Sequence, residues 1–169
     1  MALTTRITSS LTADVSPATN TWLGAPTWPV SSVFPLTMNS GTATGLADRI
    51  WTASGRSIAP SATDSLDLQG TALLDPSGTA VVFVKLKLIR VVAAATNVTD
   101  VQVTRPATNG VPWLTAVSSA IPVQPGGMME WVAPGSGIAV TAGTGDLLNL
   151  VNSGATAAVY DIVLIGTSA

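Results

Sequence analysis

Side chains able to do chemistry are few in this chain, and their identities exclude more than they allow. There is no histidine and no cysteine. Without histidine, Ser-His-Asp and Cys-His arrangements cannot form, and the commonest general base and metal ligand is missing. Without cysteine, disulfides and thiolate metal sites are ruled out. What remains is a handful of carboxylates and aromatic rings. Glycoside hydrolysis needs two carboxyl groups about 5–9.5 Å apart. Asp64 with Asp67, or Glu130 with any aspartate, are the pairs open to it, although nothing in their spacing selects them. Trp51, Trp113, Trp131 and Tyr160 are the rings that could build a platform for a sugar. The glycines of "GSGIAV" and "GTGDLL" begin like dinucleotide fingerprints but lack the third glycine and the βα setting. "GSG" at 135–137 lacks the G-x-S-x-G frame of a nucleophile elbow. These glycines read as turns, no residue set reads as a cofactor or metal site, and "NVT" at Asn97 reads as a chance glycosylation sequon.

The elements that position these residues read as strands. Charged residues are only 9% of the chain, and the helix formers Glu and Lys are nearly absent while Thr, Ser, Val, Gly and Pro abound. "DRIWTASGRSIAP" predicts a short hairpin bending at Gly55. "SLDLQG" puts Leu66 and Leu68 on one side and Asp67 on the other. "DPSG", at 75–78, is a turn that launches a long strand from about Thr79 to Val92. In it Val82, Val84, Leu86 and Leu88 form a core face, and Phe83, Lys85, Lys87 and Ile89 a half-wet one. "VTDVQVTRP" alternates again. Pro125-Gly126-Gly127 supplies a turn before the strand "MMEWV", and "GIAV" gives another short strand. "LLNLVN", "SGAT" and "AAVYDIVLIG" read as a closing hairpin. About eight strands at short spacing, with no helical period between them, predict an all-β fold: a jelly-roll-like antiparallel β-sandwich spanning 46–169.

Residues 1–45 differ. They are proline-rich, without clear period, and their apolar residues are isolated: Leu11, Trp22, Leu23, Trp28, Val30, Phe34. This predicts an extended N-terminal arm, either strapped over its own domain or docked on a neighbour.

Mean hydropathy is +0.48 and net charge −2. The longest apolar run is broken by Lys85, Lys87 and Arg90, so no membrane span is predicted; the first residues lack the apolar stretch of a signal peptide. Scattered cations give no nucleic-acid footprint. A weakly charged, apolar chain is expected to hide surface against partners. The terminal strand says the same. Tyr160, Ile162 and Leu164 share one face, Val159, Val163 and Ile165 the other, and only Asp161 interrupts. It is expected to lie centrally in a sheet, one face on the core and the other against a second subunit.

The order of these motifs carries a resemblance. Leu66 to Gly70, the turn Asp75 to Gly78, the stretch Thr79 to Asn97, the turn Pro125 to Gly127 and the ending Tyr160 to Ala169 resemble a family of small virion-associated proteins of tailed bacteriophages and prophages. The segment "TRPATNGVPWLTAVSSA" departs from it and reads as a variable loop. The resemblance implies a non-enzymatic structural protein of the virion, assembled in the bacterial host cytoplasm, either a head decoration (cement) protein or a head-fibre base. It implies a homo-oligomer, a trimer by preference, with the major capsid protein or another virion protein as partner. Trp22, Trp28, Phe34, Tyr160, Val163 and Ile165 are then the candidate capsid or subunit contacts. A tail or adhesin module that binds carbohydrate is the alternative.

Overall fold

The structure, a computed structural model, describes residues 3–15 and 28–169. Among the described residues, strands β1 (Thr5–Val15) and β2 (Trp28–Met38) pair only with each other. The remaining strands are β3 (Arg49–Ile58), β4 (Thr63–Asp67), β5 (Lys85–Ala93), β6 (Val101–Thr104), β7 (Ala120–Val123), β8 (Met128–Val132), β9 (Ile138–Ala139), β10 (Leu147–Val151) and β11 (Ala158–Thr167). One sheet runs β3-β11-β5-β8, with β9 pairing the start of β5. The other runs β4-β10-β6-β7. Every pairing between these strands is antiparallel. From β3 to β6 the chain alternates between the sheets, β6 and β7 pair within the smaller one, and β8, β10 and β11 then return inward by the same alternation, which is the jelly-roll order.

The core lies between the sheets, and the register shows why. On the inner face of the larger sheet, Trp51, Leu164, Ile89 and Trp131 form one rung; Ala53, Ile162, Val91 and Met129 form the next. Leu66, Leu148, Leu150, Val101 and Val103 meet them from the smaller sheet. Alternation in "SLDLQG" and "VTDVQV" is therefore read correctly, and Asp75 closes the turn 75–78 through the Gly78 amide, 2.9 Å from its carbonyl.

Three local expectations are overturned. Gly55 does not bend a hairpin, because Arg49–Ile58 is one strand. Its φ of +65° instead serves a register shift opposite Tyr160 and Ile162, where its amide donates to Asp161 at 2.7 Å. β10 and β11 do not form a hairpin; the intervening turn carries the chain from one sheet to the other. The long strand starts at Lys85, and its faces change phase. Leu88 pairs with Ile165 and Leu86 with Gly166, which leaves Lys87 in a bulge. Phe83, Leu86 and Ile89 therefore all enter the core, while Leu88 faces outward. A bulge inserts one residue and reverses the alternation beyond it, so strict period-two counting fails here. Gly166 is required at this point: a Cβ there would lie 2.0 Å from the Lys85 carbonyl oxygen.

Candidate functional site

The N-terminal strands form a ribbon with two unlike faces. Cross-strand pairs point the same way, so Thr5/Met38, Ile7/Leu36, Ser9/Phe34, Leu11/Ser32 and Ala13/Val30 share one face. Arg6/Thr37, Thr8/Pro35, Ser10/Val33 and Thr12/Ser31 share the other. The first face is predominantly apolar and has two fates. At the root, Ile7 and Met38 are buried with Ala47, Leu88 and Ile165, and Leu3, Leu36, Val132 and Val163 pack around them. Beyond the root, every residue from Thr8 to Ala13 and from Pro29 to Pro35 is exposed. Phe34 is 51% exposed and Leu11 62%.

The root rests on the outer face of the larger sheet. The rung Ile50, Ile165, Leu88 and Val132 crosses all four strands there, and three of its members pack against ribbon residues. The next rung holds Thr52, Val163, Arg90 and Glu130, the last two paired as guanidinium and carboxylate. The outer face thus turns polar one step away from the ribbon. The turn after β2 is fixed by Lys87, which is fully buried. Its ammonium donates to the carbonyls of Ala43 (3.0 Å), Gly135 (2.9 Å) and Pro134 (3.5 Å). Burial, and secondarily the nearby Lys85 charge, holds this amine below the ordinary lysine range.

No match to this chain was found among family models, curated proteins or solved structures.

The candidate contacts fall in different places. Trp22 lies outside the described residues, and Trp28 begins β2. Phe34 is exposed on the apolar face. Val163 and Ile165 do lie on the outer face of a central strand, as expected. The root of their own chain's ribbon packs on both, burying Ile165 and leaving Val163 half-buried. Tyr160 is buried and bonded inside the domain, so it offers no surface. Ile7, Leu36 and Met38 were missed. Their signal was alternation, "ITSSLTA" and "VSSVFPLTM", interrupted on that face by Ser9 and Ser32.

Each of the candidate carboxylates is engaged within the fold. Asp64 accepts two bonds from Arg56 at 2.8 Å and one from the Tyr160 hydroxyl at 2.6 Å. Arg56 lies 5.7 Å over the Trp51 ring. This cluster ties β3 and β11 of one sheet to β4 of the other. Asp67 accepts from the amides of Gln69 and Gly70, and Glu130 is engaged by Arg90. Nor do the rings form a platform. Trp51 and Trp113 are buried, and Trp113 meets Trp131 edge to face at 6.5 Å. The Asn97 side chain both donates to and accepts from Val159 at 2.8 Å, so the sequon amide is committed to holding the β5–β6 loop. Among the described residues no group of three acidic side chains could hold a metal.

Proposed function

We propose that this protein is a structural component of a bacteriophage virion, a decoration protein whose jelly-roll body is displayed on the assembled shell. One observation carries the reading: the body holds out a ribbon whose apolar face continues beyond its packed root, uncovered, for about 20 Å at ~3.4 Å per residue. A two-stranded ribbon alone in water is marginal at best, and exposed apolar surface of this kind marks an interaction site. Support comes from the resemblance of the motif order to that of virion-associated proteins, from the use of jelly rolls in capsid architecture, and from carboxylates and aromatics committed to holding the fold. Binding many equivalent sites on an assembled shell would stabilise it by mass action, and multivalent attachment would supply avidity from weak single contacts.

The test is made on purified particles of the phage or prophage that encodes the chain. Quantitative mass spectrometry should find it at a copy number commensurate with the shell proteins. Particles grown without it should recover thermal resistance when the purified protein is added back. Its absence from intact particles would overturn the proposal.

A further inference from the structure

The ribbon's exposed half needs an occupant, and the same chain carries a surface that fits it. Among the described residues strand β3 lies at the edge of its sheet, paired on one side only, with β11. Beside that open edge runs a groove of about 590 Å³ between β3 and the loop around Leu74–Val81, walled by Leu3, Ile50, Trp51, Leu74 and Val81. Asp48, Arg49 and Asp75 also line it, but they are engaged within the fold, Asp48 by Ser168 and Arg49, and Asp75 by Ser77. Its apolar rim is uncovered: Ile50 is 42% exposed and Leu74 50%. An open strand edge beside an apolar groove is the arrangement that accepts an added strand, with backbone bonds giving affinity and pockets for alternate side chains giving selectivity.

The ribbon is built to donate one strand and not the other. β2 lacks amide donors at Pro29 and Pro35, which blunts its edge. β1 has no proline along Thr5–Val15, so its outer edge keeps every donor. The exposed stretch, Thr8–Ala13 with Pro29–Pro35, carries no charged residue. It therefore gains most against apolar surface and brings no charge that would have to be desolvated unpaired. The root shows the same preference, since the continuation of this face already packs on the outer rung of the sheet that ends in β3.

We propose that the exposed ribbon docks on a second copy of this chain. Strand β1 adds to the open edge of β3 in the neighbour, and Leu11 and Phe34 turn toward the groove walled by Leu74. Donor and acceptor are different surfaces of one chain, so the contact is head-to-tail, and a closed ring satisfies every ribbon and every groove. This inference deepens the decoration reading, since a ring of ribbon-linked bodies suits a shell symmetry axis.

The experiment is the solution mass of the full chain by analytical ultracentrifugation, with two variants. L11D/F34D charges the ribbon; L74D charges the groove. All three positions are exposed, so near-UV circular dichroism should show both variants folded. The wild type should sediment as a closed oligomer of three chains or another small number, and each variant as a monomer. Mixed, the two variants should form a one-to-one heterodimer, because one intact ribbon then meets one intact groove while the ring cannot close. A wild-type monomer at high micromolar concentration, an oligomer that survives both variants, or a mixture that stays monomeric would each overturn the inference. The decoration reading is scored separately. A monomer found at stoichiometric copy number in particles would make the shell the ribbon's occupant; an oligomer absent from particles would sink the decoration reading alone.

Discussion

Tyr160 shows how one side chain serves the sandwich. Its ring is buried in the core while its hydroxyl reaches Asp64 across the sheets. Burial first, and the Asp64 carboxylate second, push its ionisation well above the ordinary phenol range. A group whose folded value is raised contributes stability that is intact below its unfolded value, about 10, and is lost as pH rises from there toward the folded value. It is the only tyrosine, so phenolate absorbance reports on it alone. Alkaline titration should show no phenolate in the folded protein near pH 10, followed by a cooperative rise that coincides with loss of near-UV dichroism. A smooth, reversible titration near pH 10 in the folded state would contradict the buried bond. Asp64→Asn leaves the Arg56 guanidinium without its carboxylate, and chemical denaturation should show a loss of about 1–3 kcal/mol.

Among the elements, β5 and β11 carry the most information, because both their faces are used. Gly166→Ala would drive a methyl into the Lys85 carbonyl at the bulge. Overpacking typically costs about 1–3 kcal/mol, and a backbone neighbour that cannot yield puts this variant at the upper end, readable as a lowered denaturation midpoint. Val163→Asp would place a carboxylate beside the ribbon root; hydrogen exchange should then show the amides of β1 near Ile7 opening while those of β6 and β10 stay protected. These two strands also show where sequence reasoning reached its limit. The both-sided apolarity of "AAVYDIVLIG" correctly marked a central strand. What covered the outer face was not legible, since Ile7, Leu36 and Met38 lie more than a hundred residues away in a segment whose alternation is diluted by serine. The phase change at Lys87 was equally hidden: alternation is a local rule, and a bulge is set by the partner strand. Gly55 reads in the sequence as the bend of a hairpin, but its positive φ serves a register shift and not a turn. For the candidate site, Phe34, Val163 and Ile165 were picked from their apolar character, whereas Tyr160 was misplaced because aromaticity cannot separate a core ring from a contact ring.

For the whole molecule, the ribbon divides into a root that belongs to the fold and a tip that does not. Replacing Thr8–Pro35 by a two-residue Asn-Gly turn keeps Ile7, Leu36 and Met38 in place, so the melting temperature should stay within a few degrees of the parent. Removing residues 1–38 uncovers Leu88, Ile165 and Val132, and the truncated body should melt earlier and aggregate, as calorimetry and light scattering would show. The root has a mechanical meaning too. It sits on a rung that crosses four strands, and the turn beyond it is riveted by the Lys87 ammonium to the loop at 134–135. Tension on the ribbon would be shared across the sheet at once instead of peeling one edge strand bond by bond. Peeling proceeds by small sequential barriers; loading a whole rung meets one large one, and forced unfolding follows that barrier and not equilibrium stability. A body tethered by this ribbon should therefore stay folded under pulls that would unzip the same body held by β4 or β7.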